Sequence, residues 1–284
     1  MYYYIINPAA GGGKINKIQT RLKALLKEKR IDGDFAKSIG KGDASKITKI
    51  AIRQGFKTII AVGGDSTVLE VVNGIIDNSD IALGILPIGS TNVIARLFGI
   101  NDWVETTDIL AQRKLEKINL GQVNNSFFIN SVQLGIENEL SQERKDISPL
   151  NNLLFKGKVM RKILQFKSFF ARLDFEEGFS VSSDIFNISV INGGKDYNSD
   201  KLQVILVPNQ SKFNLLKKLS KVTASLYVDL SFVSKFQTKK VSITTKKPKQ
   251  IFADNEYIGM TPMDISTTSK KIKIIVNKQN ISRY

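Results

Sequence analysis

The 284-residue chain carries 42 Lys and Arg against 26 Asp and Glu, a formal net charge of +16, and has neither His nor Cys. Imidazole acid–base catalysis, thiol nucleophiles, His- or Cys-ligated zinc and disulfides are thereby excluded. A general base must be Asp, Glu, Lys or Tyr, and a metal must be a hard cation held by oxygen, with magnesium the natural candidate in phosphoryl transfer.

The first expected element is a strand, Tyr2 to Ile6, running into Asn7-Pro8-Ala9-Ala10-Gly11-Gly12-Gly13-Lys14 and then a helix with Ile15, Ile18, Leu22, Leu25 and Leu26 on one face. The spacing is not that of a Walker A loop, yet this is a glycine-rich strand-to-helix turn. Ile59 to Val62 form a second strand, which enters Gly63 and Gly64, glycines that permit a tight turn and close backbone approach. Asp65 follows, Thr67 and Glu70 have capping-box spacing, and Val68, Val71, Val72, Ile75 and Ile76 give the ensuing helix an apolar face. Free N–H groups at that helix start favour an anion. A carboxylate beside a phosphate is repulsive unless a cation lies between them, so Gly-Gly-Asp suggests a metal-bridged nucleotide. The competing reading is an ordinary turn, since any strand-to-helix junction favours glycine and a cap.

The same logic returns in the strand Ile81 to Leu86, ended by Pro87 and followed by Gly89-Ser90-Thr91-Asn92 and a helical Val93 to Phe98. In a parallel sheet these turns share the carboxyl edge, where open α/β folds bind ligands. The pattern changes near residue 114. Strand-like stretches then dominate: Lys114 to Leu120, Ser126 to Leu134, Phe179 to Ile191, Leu202 to Val207, Leu226 to Phe232, Lys240 to Thr245, Gln250 to Ala253 and Lys271 to Val276. The expected fold class is α/β: a doubly wound parallel-sheet domain over 1–113, then a mostly antiparallel β domain over 114–284. An exposed strand edge in the second domain would offer a route to a homodimer.

Residues 153–173 interleave Leu153, Leu154, Phe155, Val159, Met160, Ile163, Leu164, Phe166, Phe169, Phe170 and Leu173 with Lys156, Lys158, Arg161, Lys162, Lys167 and Arg172. Two readings stand open, a segment lying in a membrane interface and a helix packed on the second domain. Lysines also crowd the end of the chain, from Lys217 to Lys271. Such a balance favours nucleotide, acidic lipid surfaces or nucleic acid, or is a solvated surface. No nucleic-acid recognition motif accompanies the charge. No apolar run approaches the roughly 20 residues needed to cross a bilayer. Without disulfides or a signal-peptide pattern at Met1-Tyr2-Tyr3-Tyr4, the expected location is cytoplasmic, with peripheral membrane association.

Asn7-Pro8 with Gly11, then Gly63-Gly64-Asp65-Ser66-Thr67 with Glu70 and Asn73-Gly74, then Pro87 to Arg96, and finally Asp254-Asn255-Glu256, together resemble the diacylglycerol kinase catalytic domain of the bacterial lipid kinases. The resemblance spans nearly the whole chain and implies two lobes, with ATP and Mg2+ as cofactors and a lipid hydroxyl at a membrane surface as acceptor. It implies that Gly64, Asp65, Ser66, Thr67 and Ser90 hold the nucleotide phosphates, Asp65 also steering magnesium. Asn7, Gly11, Ser38, Gly63, Glu70, Gly89 and Asn92 complete the implied nucleotide set. Glu256 is the implied general base with Asp254 beside it, although Asp-Asn is equally a β-turn dipeptide. Asp200 is the implied magnesium ligand, joined by carbonyls of Tyr197 and Leu202. The chain departs from the family pattern at Ser66 (Gly), Ser90 (Thr) and Asn255 (Gly), and its segment 193–202 is short and lacks Pro. Two alternatives follow from the same residues: a non-catalytic nucleotide- or membrane-binding protein of this fold, and a NAD kinase, which shares the Gly-Gly-Asp turn but for which Asn130 to Ile136 is the wrong sequence.

Overall fold

The computed structural model describes residues 1–143, 152–193, 199–217 and 231–277. The chain opens with β1 (Tyr2–Ile6), a single 3-10 turn (Ala10–Gly12), α1 (Lys14–Glu28), β2 (Gly33–Lys37), α2 (Asp43–Arg53), β3 (Thr58–Gly63), α3 (Asp65–Ile75), β4 (Ala82–Pro87), α4 (Val93–Leu97) and α5 (Trp103–Gln112). Then come β5 (Leu115–Val123), β6 (Ser126–Phe128), β7 (Ser131–Gly135), α6 (Ile136–Glu143), α7 (Asn152–Gln165), β8 (Phe169–Phe175), β9 (Ser180–Asn192), β10 (Leu202–Pro208) and α8 (Lys212–Lys217). The last strands are β11 (Ser234–Thr238), β12 (Lys240–Thr245), β13 (Gln250–Ala253), β14 (Glu256–Met260) and β15 (Met263–Ile275).

Two compact units result, one holding residues 1–120 and 268–277, the other 121–193 and 199–267 among the described residues. The single passage expected at 113/114 is therefore two, one inside β5 and one inside β15. The return is invisible in sequence because a strand's composition does not name its partner. Here Lys273 and Ile274 of β15 pair in parallel with Ala82 and Leu83 of β4.

The first unit is a parallel sheet in the order β2-β1-β3-β4-β15. Every residue of β3 and β4 is buried, as continuous apolar runs require of strands covered on both faces. α1 buries Ile15, Leu22 and Leu26, and α3 buries Val68, Val71, Val72 and Ile75. From β1 the chain moves to one side to form β2, then crosses to the other for β3. The carboxyl ends of β1 and β3 thus flank the switch point at which such sheets take ligands.

The second unit is antiparallel. β9 pairs with β8 through its first half, with β7 through its second, and with β10 along its other edge. β13 joins β7, and β12 lies between β8 and β15. Phe128, Leu134, Leu173, Ile188, Val204, Ile243 and Ile265 share its core. The two-part α/β fold expected from the sequence is present.

Three differences are informative. Ser126 to Leu134 breaks into β6 and β7 around Ile129 and Asn130, whose N–H groups face Asp254 instead of a neighbouring strand. The basic stretch 153–173 is two elements, α7 and β8, because Phe169, Ala171 and Leu173 alternate inward at the period of a strand. In α7, Val159 and Ile163 pack with Ile136, Leu140, Phe186 and Val207, while Met160 and Leu164 remain exposed. Most of the expected strand Leu226 to Phe232 lies outside the described residues.

Candidate functional site

Four turns of the first unit meet at the carboxyl edge of its sheet. Asn7 N donates to Val62 O at 2.9 Å, Ser38 N to Ile6 O at 2.9 Å, and Ile88 N to Gly63 O at 3.0 Å. Glycine is required where they touch. Gly11 has φ +58°, and a Cβ there would lie 2.1 Å from Ile88 O; one on Gly89 would lie 2.5 Å from Gly64 Cα. Asn7 is a brace, accepting from Ala9 N at 3.0 Å and donating from Nδ2 to Thr67 Oγ1 at 3.1 Å. Ser38 is buried and its hydroxyl donates to Ile6 O at 3.4 Å.

The helix that leaves this edge, α3, begins at Asp65, and its N-cap, Gly64, makes no side-chain capping bond. The expected capping box of Thr67 and Glu70 is therefore corrected: the N-cap is Gly64, three residues before Thr67. Glu70 reaches sideways instead, accepting Gly42 N at 2.8 Å and Ala44 N at 3.1 Å, so it caps α2. Asp65, 7% exposed, does the same for α4. Its carboxylate accepts Ile94 N at 2.8 Å, Val93 N at 3.0 Å and the Thr91 hydroxyl at 3.0 Å. Two carboxylates of α3 thus satisfy the starts of its neighbours, while its own first turn carries no side-chain cap. That is the arrangement of an anion site.

Ser66 lies in the first turn of α3 with helical backbone, so no left-handed conformation demands glycine there. Its half-exposed hydroxyl has no partner among the described residues, and the exposed Ser90 hydroxyl likewise. Asn92 adopts φ +48°, donates from Nδ2 to Gly89 O at 2.8 Å, and keeps a buried Oδ1 without a partner.

In the second unit, Asp254 (φ +47°) and Asn255 (φ +68°) form the two-residue turn between β13 and β14. Two successive positive φ angles define a type I′ hairpin, which Asn tolerates nearly as well as Gly. Asp254, 5% exposed, accepts Ile129 N at 2.6 Å and Asn130 N and Ser131 N at 2.9 Å. Its carboxylate is the anchor of the 129–131 segment, and Glu256, half-exposed, opens β14.

Asp200 is exposed and paired with Lys239 at 2.7 Å; the ammonium holds its carboxyl below the ordinary range and is itself raised. Leu202 begins β10 with its side chain in the core, and Tyr197 lies outside the described residues. Among the described residues no three Asp or Glu side chains gather into a metal-holding group. Thr91, and the Ile129 to Ser131 amides that organise the second turn, were missed by sequence reasoning. A lone Thr beside Asn carries no signal, and backbone donors carry none at all.

The diacylglycerol kinase catalytic domain model matches residues 1–123, and the YegS C-terminal NAD kinase beta sandwich-like domain model matches residues 130–276. A diacylglycerol kinase of Bacillus subtilis is 24% identical over 97% of this chain and 96% of its own length. One of Staphylococcus aureus is 25% identical over 85% of this chain and 82% of its own. A solved diacylglycerol kinase structure from Bacillus anthracis superimposes with a TM-score of 0.73 at 18% identity, over 98% of this chain and 97% of that one. A second from that organism, described as a candidate diacylglycerol kinase, gives 0.79 at 21% identity, over 98% and 96%. The two solved structures establish the fold. With the two models covering nearly its whole length in the expected order, the chain belongs to the diacylglycerol kinase catalytic-domain family and is an enzyme of the lipid kinase type.

Proposed function

We propose that the chain transfers the γ-phosphoryl group of ATP to the free hydroxyl of a diacylglycerol-like lipid at a membrane surface. The observation that carries this reading is the open first turn of α3 at the β1/β3 switch point, backed by the close Gly64–Gly89 approach. Backbone N–H groups of Asp65, Ser66 and Thr67, with the Ser66 and Ser90 hydroxyls, bind the phosphates. Asp65, Asn7 and Glu70 hold the surrounding turns in place.

Glu256 takes the proton of the lipid hydroxyl as the oxygen attacks the γ-phosphorus. The bond from that phosphorus to the β–γ bridging oxygen breaks, and ADP leaves. Magnesium supplies charge neutralisation on the triphosphate. The residues fit an ion that travels with the nucleotide better than one in a protein cage, since Asp65 is engaged by α4 and Asp200 by Lys239. Positioning and charge neutralisation supply most of the rate.

Met160 and Leu164 lie one turn apart on the outer side of α7, near Arg161 and Lys162, which suits contact with anionic lipid. The test is magnesium-dependent transfer of labelled γ-phosphate from ATP into extractable lipid, with a mixed membrane extract as acceptor. Glu256→Gln and Asp65→Asn are run beside the wild type. Label lost in both variants supports the reading, and chromatography identifies the acceptor. Absence of label from wild-type reactions that still bind ATP rejects it in favour of a binding protein.

A further inference from the structure

The first unit also carries a cavity of about 440 Å³ at the opposite edge of its sheet, lined by Asp77, Ser79, Asp80, Lys117, Ser269 and the lysines at 270, 271 and 273, with Ile76 and Ile272. Residues 76–80 precede the first residue of β4, whereas Gly89 follows its last. Six residues of strand at about 3.3 Å each put the cavity roughly 20 Å from the nucleotide turns. An occupant therefore plays no part in the phosphoryl transfer itself.

The chemistry of the lining is one-sided. Lys270 pairs with Asp77 at 2.6 Å and Lys273 with Asp80 at 3.6 Å, which accounts for both carboxylates. Lys117 and Lys271 have no ionic partner among the described residues, and the Ser79 and Ser269 hydroxyls have no hydrogen-bond partner there. Four donors are left facing one concavity without an acceptor. Like charges gathered around one open, solvated concavity repel one another and concentrate a counter-anion. The volume is that of a small-molecule site. Ammonium and hydroxyl donors at the mouth, with Ile76 and Ile272 as the apolar members of the lining, suit a compact, multiply charged oxyanion.

We propose that this cavity is a second anion site, which binds a phosphate-bearing ligand through Lys117, Lys271, Ser79 and Ser269. Phosphate of this kind is presented either by a soluble phosphorylated molecule or by a phospholipid headgroup. The full chain is titrated calorimetrically with pyrophosphate while a non-hydrolysable ATP analogue saturates the nucleotide site. Wild type and Lys117→Gln/Lys271→Gln are compared, with Lys46→Gln/Lys235→Gln as a control of equal charge change. Wild type and control should bind one pyrophosphate, and the cavity variant at least tenfold more weakly with an unchanged melting temperature.

Sedimentation with phosphatidylglycerol and phosphatidylcholine vesicles separates the sources. Retention on phosphatidylglycerol that falls in the cavity variant alone indicates a headgroup; pyrophosphate binding without such retention indicates a soluble ligand. Wild type that binds no pyrophosphate, or a cavity variant that binds it as well as the control does, overturns the proposal.

Discussion

The turn at Gly63-Gly64-Asp65 and the turn at Asp254-Asn255-Glu256 use the same device for opposite ends. Each buries an aspartate that accepts three hydrogen bonds from a neighbouring segment: the start of α4 in one case, residues 129–131 in the other. The first leaves a helix start open. The second closes on itself as a hairpin through two left-handed residues and presents the next residue, Glu256, at the head of a strand. A motif acid is thus not by itself a reacting group; in both turns the buried aspartate fixes the frame.

The comparison breaks most visibly at Asp254. Asp254→Ala removes the acceptor of three buried backbone donors and is expected to cost about 3–5 kcal/mol, read from urea unfolding, with Asp254→Asn recovering part of it. Loss under about 1 kcal/mol would show that the 129–131 amides find other partners. Asp65→Ala orphans two donors at the start of α4 and the Thr91 hydroxyl, and about 2–4 kcal/mol is expected by the same measurement. The two effects should add, because the residues share no partner.

Gly89→Ala probes the open turn directly. A Cβ placed 2.5 Å from Gly64 Cα must push two backbones apart, at about 1–3 kcal/mol. The displaced turn should also lose nucleotide affinity, checked by calorimetric ATP binding at a temperature where the variant is folded.

How much of this was legible varies with the kind of interaction. The parallel strands and the helices after them could be read because burial on both faces writes a continuous apolar run, as in Ile59 to Val62 and Ala82 to Leu86. The glycines could be read because close approach leaves no room for a side chain at 63 and 89. Glu70 was placed correctly beside the turn but given the wrong helix to cap, since a capping box and a carboxylate reaching across to α2 have the same spacing. The return of β15 to β4, the lysine-lined cavity it helps to build and the pairing of Asp200 with Lys239 depend on residues far apart in the chain. No local pattern records those.

Ser66→Gly sharpens the contrast at little cost to the fold. Glycine in the first turn of α3 is expected to destabilise by only about 0.5–1 kcal/mol. If the hydroxyl donates to a phosphate, KM for ATP should rise roughly tenfold, the worth of one hydrogen bond to a charged group. A fall in KM, or faster transfer, would mean instead that the Cβ and hydroxyl crowd the phosphate.

The smallest effect belongs to Asp200 and Lys239. The Asp200 carboxyl is held low by the Lys239 ammonium first and by the nearby Lys201 charge last. Its folded value lies below its unfolded one, so the pair's contribution is complete above the ordinary carboxyl range and is lost as pH falls through the depressed value. Both side chains are more than half exposed, so salt and side-chain entropy leave little net stabilisation. Lys239→Met should accordingly move the Asp200 titration upward in an NMR pH series while leaving thermal stability at neutral pH unchanged. A carboxyl that stays depressed without the lysine would assign the shift to the backbone N–H at Asp200 and the Lys201 charge instead.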